Sequence, residues 1–168
     1  MQMQIKDDQI VEFQECHQQA VENLVLPIQQ IEFGVPITRE EQADLIDVQG
    51  VFQKGKGNFW VAIRDGQVVG TIGVVDIGSG QVALKKMFVH RDYRGKQHGI
   101  SAALMNGAKE WCRRQSVTQI FLGTTAQMSA AHKFYERNGF VPVDVLQLPA
   151  AFPLVHVDSK FYRCDLNS

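Results

Sequence analysis

The sequence predicts a mixed α/β fold, a central mixed β-sheet flanked by helices, in one domain spanning residues 1–168. Three observations carry this expectation. Strand-like segments joined by tight turns fill 58–90, a strand–helix–strand unit follows directly, and a length of 168 residues suits one core and is short for two. No repeat, linker or low-complexity stretch divides this order.

Residues 2–5 read as a short first strand. Asp7 or Asp8 then caps a helix carrying Val11, Cys16, Ala20, Val21, Leu24 and Val25 at helical spacing, bent or ended by Pro27. Thr38 and Glu41 form a capping box, because hydroxyl and carboxylate can each satisfy an orphan N–H; Leu45, Ile46 and Val48 give the following helix an apolar side. From Asn58 the period changes to two. Phe59–Ile63 and Val68–Val75 flank Asp65-Gly66, a two-residue hairpin signal, and Gly78-Ser79-Gly80 turns the chain into a third strand, Gln81–His90.

A helix from about Ser101 to Gln115 aligns Leu104, Ala108, Trp111 and Cys112 on one stripe, and the apolar strand Ile120-Phe121-Leu122 follows. Ser129 or Thr125 opens a further helix, Ala130 to Arg137, ended by Gly139 as a left-handed residue before Phe140-Val141-Pro142-Val143. A final strand near Val155 to Cys164 closes the sheet.

The composition, 45% hydrophobic and 21% charged, is that of an ordinary globular chain, and a net charge of -1 provides no global field to attract nucleic acid or an anionic membrane. Cys16, Cys112 and Cys164 are scattered and odd in number, so neither a disulfide framework nor structural zinc is expected. The five histidines show no metal-binding spacing, so no metal is expected. Met1 to Ile10 lacks the features of a signal peptide, and no apolar run approaches ~18 residues, so a cytoplasmic setting is the expectation.

The richest segment for chemistry is the strand–loop–helix over 82–105. Gly95 and Gly99 permit close backbone approach beside the positive end of a helix dipole, and Arg91, Arg94, Lys96 and His98 gather cations in a near-neutral protein. That pattern suits a pyrophosphate. Neither a GxxxxGK[ST] loop nor a GxGxxG after a first strand is present, which argues against a nucleoside triphosphate or NAD.

Met87-Phe88-Val89-His90-Arg91-Asp92-Tyr93-Arg94-Gly95-Lys96, with Gly99-Ile100-Ser101, resembles the acetyl-CoA loop of the GNAT superfamily of N-acetyltransferases. Ala130-Ala131-His132-Lys133-Phe134-Tyr135-Glu136-Arg137-Asn138-Gly139-Phe140 resembles its second signature, and the likeness in element order covers roughly 58–145. The family loop is commonly Q/R-x-x-G-x-G/A. Here it aligns either as Lys96-Gln97-His98-Gly99-Ile100-Ser101 or, shifted, as Arg94-x-x-Gln97-x-Gly99, and Met128 stands where an asparagine is frequent.

The resemblance implies a GNAT-like fold and direct acetyl transfer from acetyl-CoA, the cosubstrate, to a small-molecule or peptide amine. A homodimer is left open as an assembly, and a non-catalytic acyl-CoA sensor is the alternative. Contacts to the cosubstrate are implied for Met87, Phe88 and Val89, for the loop residues Arg94, Gly95, Lys96, Gln97, His98, Gly99, Ile100 and Ser101, and for Thr125, Ala131 and Phe134. Tyr135 matches the position that commonly protonates the departing thiolate, a task that a hydroxyl of pKa near 10 can perform. Where some relatives carry a glutamate this chain has Lys85 and Lys86, so the base is sought among Glu32, Glu40, Glu41 and Asp44, with Glu32 the preferred candidate. The acceptor walls are expected from 24–50 and 146–160, including Phe33, Phe52, Leu148 and Phe152.

Overall fold

The structure, a computed structural model, describes residues 9–166. The strand expected at 2–5 and the caps at Asp7 and Asp8 lie outside the described residues. Val11 belongs to a strand, β1 (Gln9–Glu12), and Cys16 to a single 3-10 turn; the helix α1 starts only at Gln18 and runs to Pro27. Strand pairing overrides local periodicity here. Gln9–Glu12 pairs antiparallel with β2 (Asn58–Arg64), and Ile10 and Val11 point into cores on opposite faces of the sheet.

Pro27 ends the regular part of α1, but the chain continues through a π-helical turn, Ile28–Glu32. Proline lacks the N–H that an α-helical register needs, which accounts for a change of hydrogen-bonding at this point. The Thr38–Glu41 box forms, with Thr38 N–H donating to Glu41 Oε1 at 2.9 Å and Glu41 N–H to Thr38 Oγ1 at 3.2 Å. It closes a turn rather than starting a helix, and the helical residues come later as α2 (Ala43–Ile46) and α3 (Val48–Phe52).

The meander follows the sequence pattern. β2, β3 (Gln67–Gly78) and β4 (Gln81–Val89) are antiparallel neighbours. Asp65 and Gly66, with φ of 54° and 76°, and Ser79 and Gly80, with φ of 58° and 72°, make the left-handed pairs that tight hairpins require. α4 (Ile100–Arg114) then crosses over to β5 (Gln119–Thr124), which lies parallel to β4. After α5 (Ser129–Arg137) come β6 (Val141–Val143) and β7 (Lys160–Asp165).

The seven strands are ordered β1-β2-β3-β4-β5-β7-β6. The final strand therefore inserts between β5 and β6 rather than closing an edge. Leu104, Met105, Ala108 and Cys112 of α4 pack on one face of the sheet; Val21 and Val25 of α1, with Phe52 of α3, pack with Phe59 and Val61 on the other. Among the described residues no helix is long and apolar enough to cross a membrane.

Two departures from regularity position the site. The β4–β5 ladder ends at Ala83 and Phe121, although both strands run on, so the sheet splits into a V. Opposite, β4 carries a bulge. Thr71 pairs with Phe88 and Gly73 with Lys85, leaving two β4 residues facing Ile72, and Lys86 takes φ of 57°. The Thr71 hydroxyl donates to the Lys86 carbonyl at 2.7 Å and pins the bulge.

Candidate active site

A cavity of about 490 Å³ opens at the V between β4, the 90–99 loop, the start of α4 and α5. Met87, Phe88, Val89, Ala131 and Phe134 supply an apolar lining; Arg94, Lys96 and Arg137 supply cations. Gly95, Gly99 and Ser101 line its loop end. Gly99 precedes α4 in a left-handed conformation, φ 68°, and no heavy atom lies within 4 Å of where a β-carbon would stand. Backbone there is open to a ligand, beside the first N–H groups of a 15-residue helix that no intrahelical carbonyl can satisfy.

Of the residues expected at the cosubstrate, ten line this cavity and four do not. Ile100 points into the core at 6% exposure, His98 rests edge-on against Tyr93, and Gln97 folds over Gly95, where an added β-carbon would stand 2.6 Å from Gln97 Oε1. Thr125 lines a second, smaller cavity instead.

That second cavity, about 100 Å³, is lined by residues of β4, by Gln29, Val35 and Ile37 from one segment and by Val155, Val157 and Asp158 from another. Those residues belong to the two segments expected to form the acceptor walls. The aromatic residues named with them do not take part. Phe33 lines the larger cavity, Phe52 is fully buried in the core, and Phe152 and Leu148 pack with Phe161. Gln29 and Gln42 exchange amide hydrogen bonds of 2.8 and 3.0 Å, which brace the near wall.

Met87, Phe88, Met128 and Tyr135 line both cavities. Tyr135, 6% exposed, is held by the rings of Phe134, Phe140 and Tyr162 at centroid distances of 5.7–6.0 Å. Its hydroxyl has no hydrogen-bond partner among the described residues, and burial, then the charge of Asp158, pushes its pKa above the ordinary tyrosine value. It therefore keeps its proton and can donate it.

Glu32 is placed differently from a free base. Its carboxylate takes a two-pronged ion pair from Arg94, at 2.5 and 2.8 Å, at the rim of the larger cavity, and the hydrogen bond from Arg94 holds its pKa below the usual range. Arg94 also donates to the Val89 carbonyl at 2.8 Å and stacks near the Phe33 ring. Glu41 is tied to Thr38 and, 3.4 Å away, to His156. For Asp44, burial pushes upward, but the ammonium groups of Lys86 and Lys85, 3.1 and 2.9 Å from Oδ2, outweigh it and keep the carboxyl below its ordinary value.

The acid that sequence reasoning missed is Asp158. Its Oδ2 lies against the splayed part of β5, 2.6 Å from where a β-carbon on Gly123 would stand. Burial pushes its pKa up to about 6, against the charges of Lys85, Lys86 and His156. Among the described residues no group of three or more metal-ligating side chains is gathered.

Residues 55–142 match the family profile described as an acetyltransferase (GNAT) domain. A solved acetyltransferase of the GNAT family from Staphylococcus aureus Mu50 superposes with a TM-score of 0.91 at 34% identity, over 95% of this chain and 99% of that one. N-acetylaspartate synthetase from Xenopus tropicalis is 38% identical over 108 residues, 63% of this chain; the match spans 39% of that relative's length. PaiA N-acetyltransferase from Thermoplasma acidophilum, solved with coenzyme A, shares the fold at a TM-score of 0.72 and 14% identity, over 95% of this chain and 99% of that one.

Proposed function

The chain belongs to the GNAT acetyltransferase family, and from that premise we propose that it moves an acetyl group from acetyl-CoA directly to an amine. The observation that carries the reading is the split between β4 and β5 beside two cavities, a larger and a smaller, that share Tyr135 in their linings. The cavity residues fit the cosubstrate: apolar walls for the pantetheine arm, and cations with an open-backbone helix start for the pyrophosphate.

The thioester supplies the acetyl group, and the residues of the chain hold it and manage protons. Past Ala83 the β4 edge facing β5 is released from the ladder, so a backbone N–H there can polarise the thioester carbonyl. Over the reaction the acceptor nitrogen forms the C–N bond and sheds two protons while the C–S bond breaks. One proton goes to the Asp158 carboxylate; the other replaces the proton that Tyr135 gives to the departing thiolate sulfur.

We assign the base role to Asp158 rather than Glu32, because Asp158 lies on the acceptor side with a raised pKa and Glu32 is tied to Arg94. Arg94, held by Glu32, is set to meet the phosphates. A reducing compartment such as the cytoplasm agrees with three free thiols.

The test is acceptor-dependent thiol release. Mixing the protein with acetyl-CoA and a panel of amines should give thiol and N-acetylated product in equal amounts. Tight coenzyme binding with no product from any amine would make the protein a sensor instead.

A further inference from the structure

Resting on the transferase reading above, we propose that the acceptor is a small aminocarboxylate, an amino acid whose ammonium group meets Asp158 and whose carboxylate is received by Lys85, Lys86 and Thr125 in the smaller cavity.

Both lysines line that cavity, and both contact a single oxygen, Asp44 Oδ2. One carboxylate thus stands between two ammonium groups. Asp44 is not among the lining residues; the acid that lines the cavity is Asp158. With a monoamine bound as its ammonium ion, three cations face the carboxylates of Asp44 and Asp158, and passing a proton to Asp158 leaves that surplus positive charge unchanged, in a region where the Lys86 side chain is only 8% exposed. A buried cation without a counter-charge is costly, and a carboxylate on the acceptor cancels the surplus both before and after the proton moves. A simple monoamine brings no such group.

Thr125 is an independent observation pointing the same way. It is 6% exposed, lines the same cavity, and its Oγ1 is buried with no hydrogen-bond partner among the described residues. An orphaned buried hydroxyl is a donor awaiting an acceptor atom. The left-handed backbone of Lys86, an uncommon conformation for a residue with a side chain, belongs to the bulge that opens this wall. A volume of about 100 Å³ between Val35, Ile37, Val155 and Val157 restricts the acceptor to small side chains.

The test compares glycine, alanine and serine with the α-carboxamide and the decarboxylated amine of each, at saturating acetyl-CoA, measuring amide product. At least one amino acid should exceed its carboxamide and its amine at least tenfold in kcat/KM. Lys85→Gln and, separately, Thr125→Val should reduce that ratio mainly through KM, with coenzyme A affinity by calorimetry showing that each variant is folded. Carboxamides or plain amines acetylated as well as the acids, or a ratio unchanged in both variants, would overturn the aminocarboxylate assignment alone. Coenzyme binding with no product from any amine would overturn it together with the transferase reading.

Discussion

Tyr135 and Asp158 face the same small cavity from α5 and from the segment before β7, and burial raises the pKa of each, with opposite consequences. A tyrosine pushed upward stays protonated and can serve as a donor; an aspartate pushed to about 6 is mostly ionised at neutral pH yet basic enough to hold a proton. Tyr135→Phe keeps the ring packing and removes the donor. The single-turnover rate should fall about 10²–10⁴-fold, the usual contribution of a positioned general acid, with fold and coenzyme affinity preserved. An unchanged single-turnover rate would reduce Tyr135 to a packed aromatic. In the base role proposed for Asp158 the active form is the carboxylate, so kcat/KM should rise with pH through about 6 and level off above it. Asp158→Asn should lower the plateau and abolish that inflection; a retained inflection near 6 would assign the proton to another group.

At the scale of elements, the loop that opens α4 depends on Gly99, whose left-handed φ of 68° costs a residue with a side chain roughly 1–2 kcal/mol. Space for the side chain exists, so Gly99→Val should stay folded while filling the approach to the first turn of α4. Calorimetry should show coenzyme A affinity reduced at least tenfold; full affinity in the folded variant would move the phosphates elsewhere. Legibility in the sequence followed locality. The two hairpins, α4, α5 and the Gly139 stop are written in turn chemistry and periodicity within a few residues. β1 was hidden, because Ile10 and Val11 fit a helix as well as a strand until β2 claims them. The β7 insertion was hidden because nothing local to 160–165 says that it pairs with both β5 and β6. Asp158 was hidden for the same reason: its significance comes from Gly123, Lys85 and Lys86, remote in sequence, and only its membership of the 146–160 wall could have drawn attention to it.

In the molecule as a whole, Met87, Phe88, Met128 and Tyr135 line both cavities, beside the bulge of β4 and its parting from β5. Such a layout needs no acetylated protein between donor and acceptor. None of the three cysteines lines either cavity, so no thiol of the chain is placed to carry the acetyl group. The most direct measurement is a rapid-quench single turnover with trideuterioacetyl-CoA and an accepted amine, following intact protein, free thiol and labelled amide by mass spectrometry. Direct transfer predicts that amide and thiol appear together, one for one, with the protein mass unchanged at every time point. A transient gain of one labelled acetyl group on the protein, formed and lost fast enough to carry the turnover, would contradict the account.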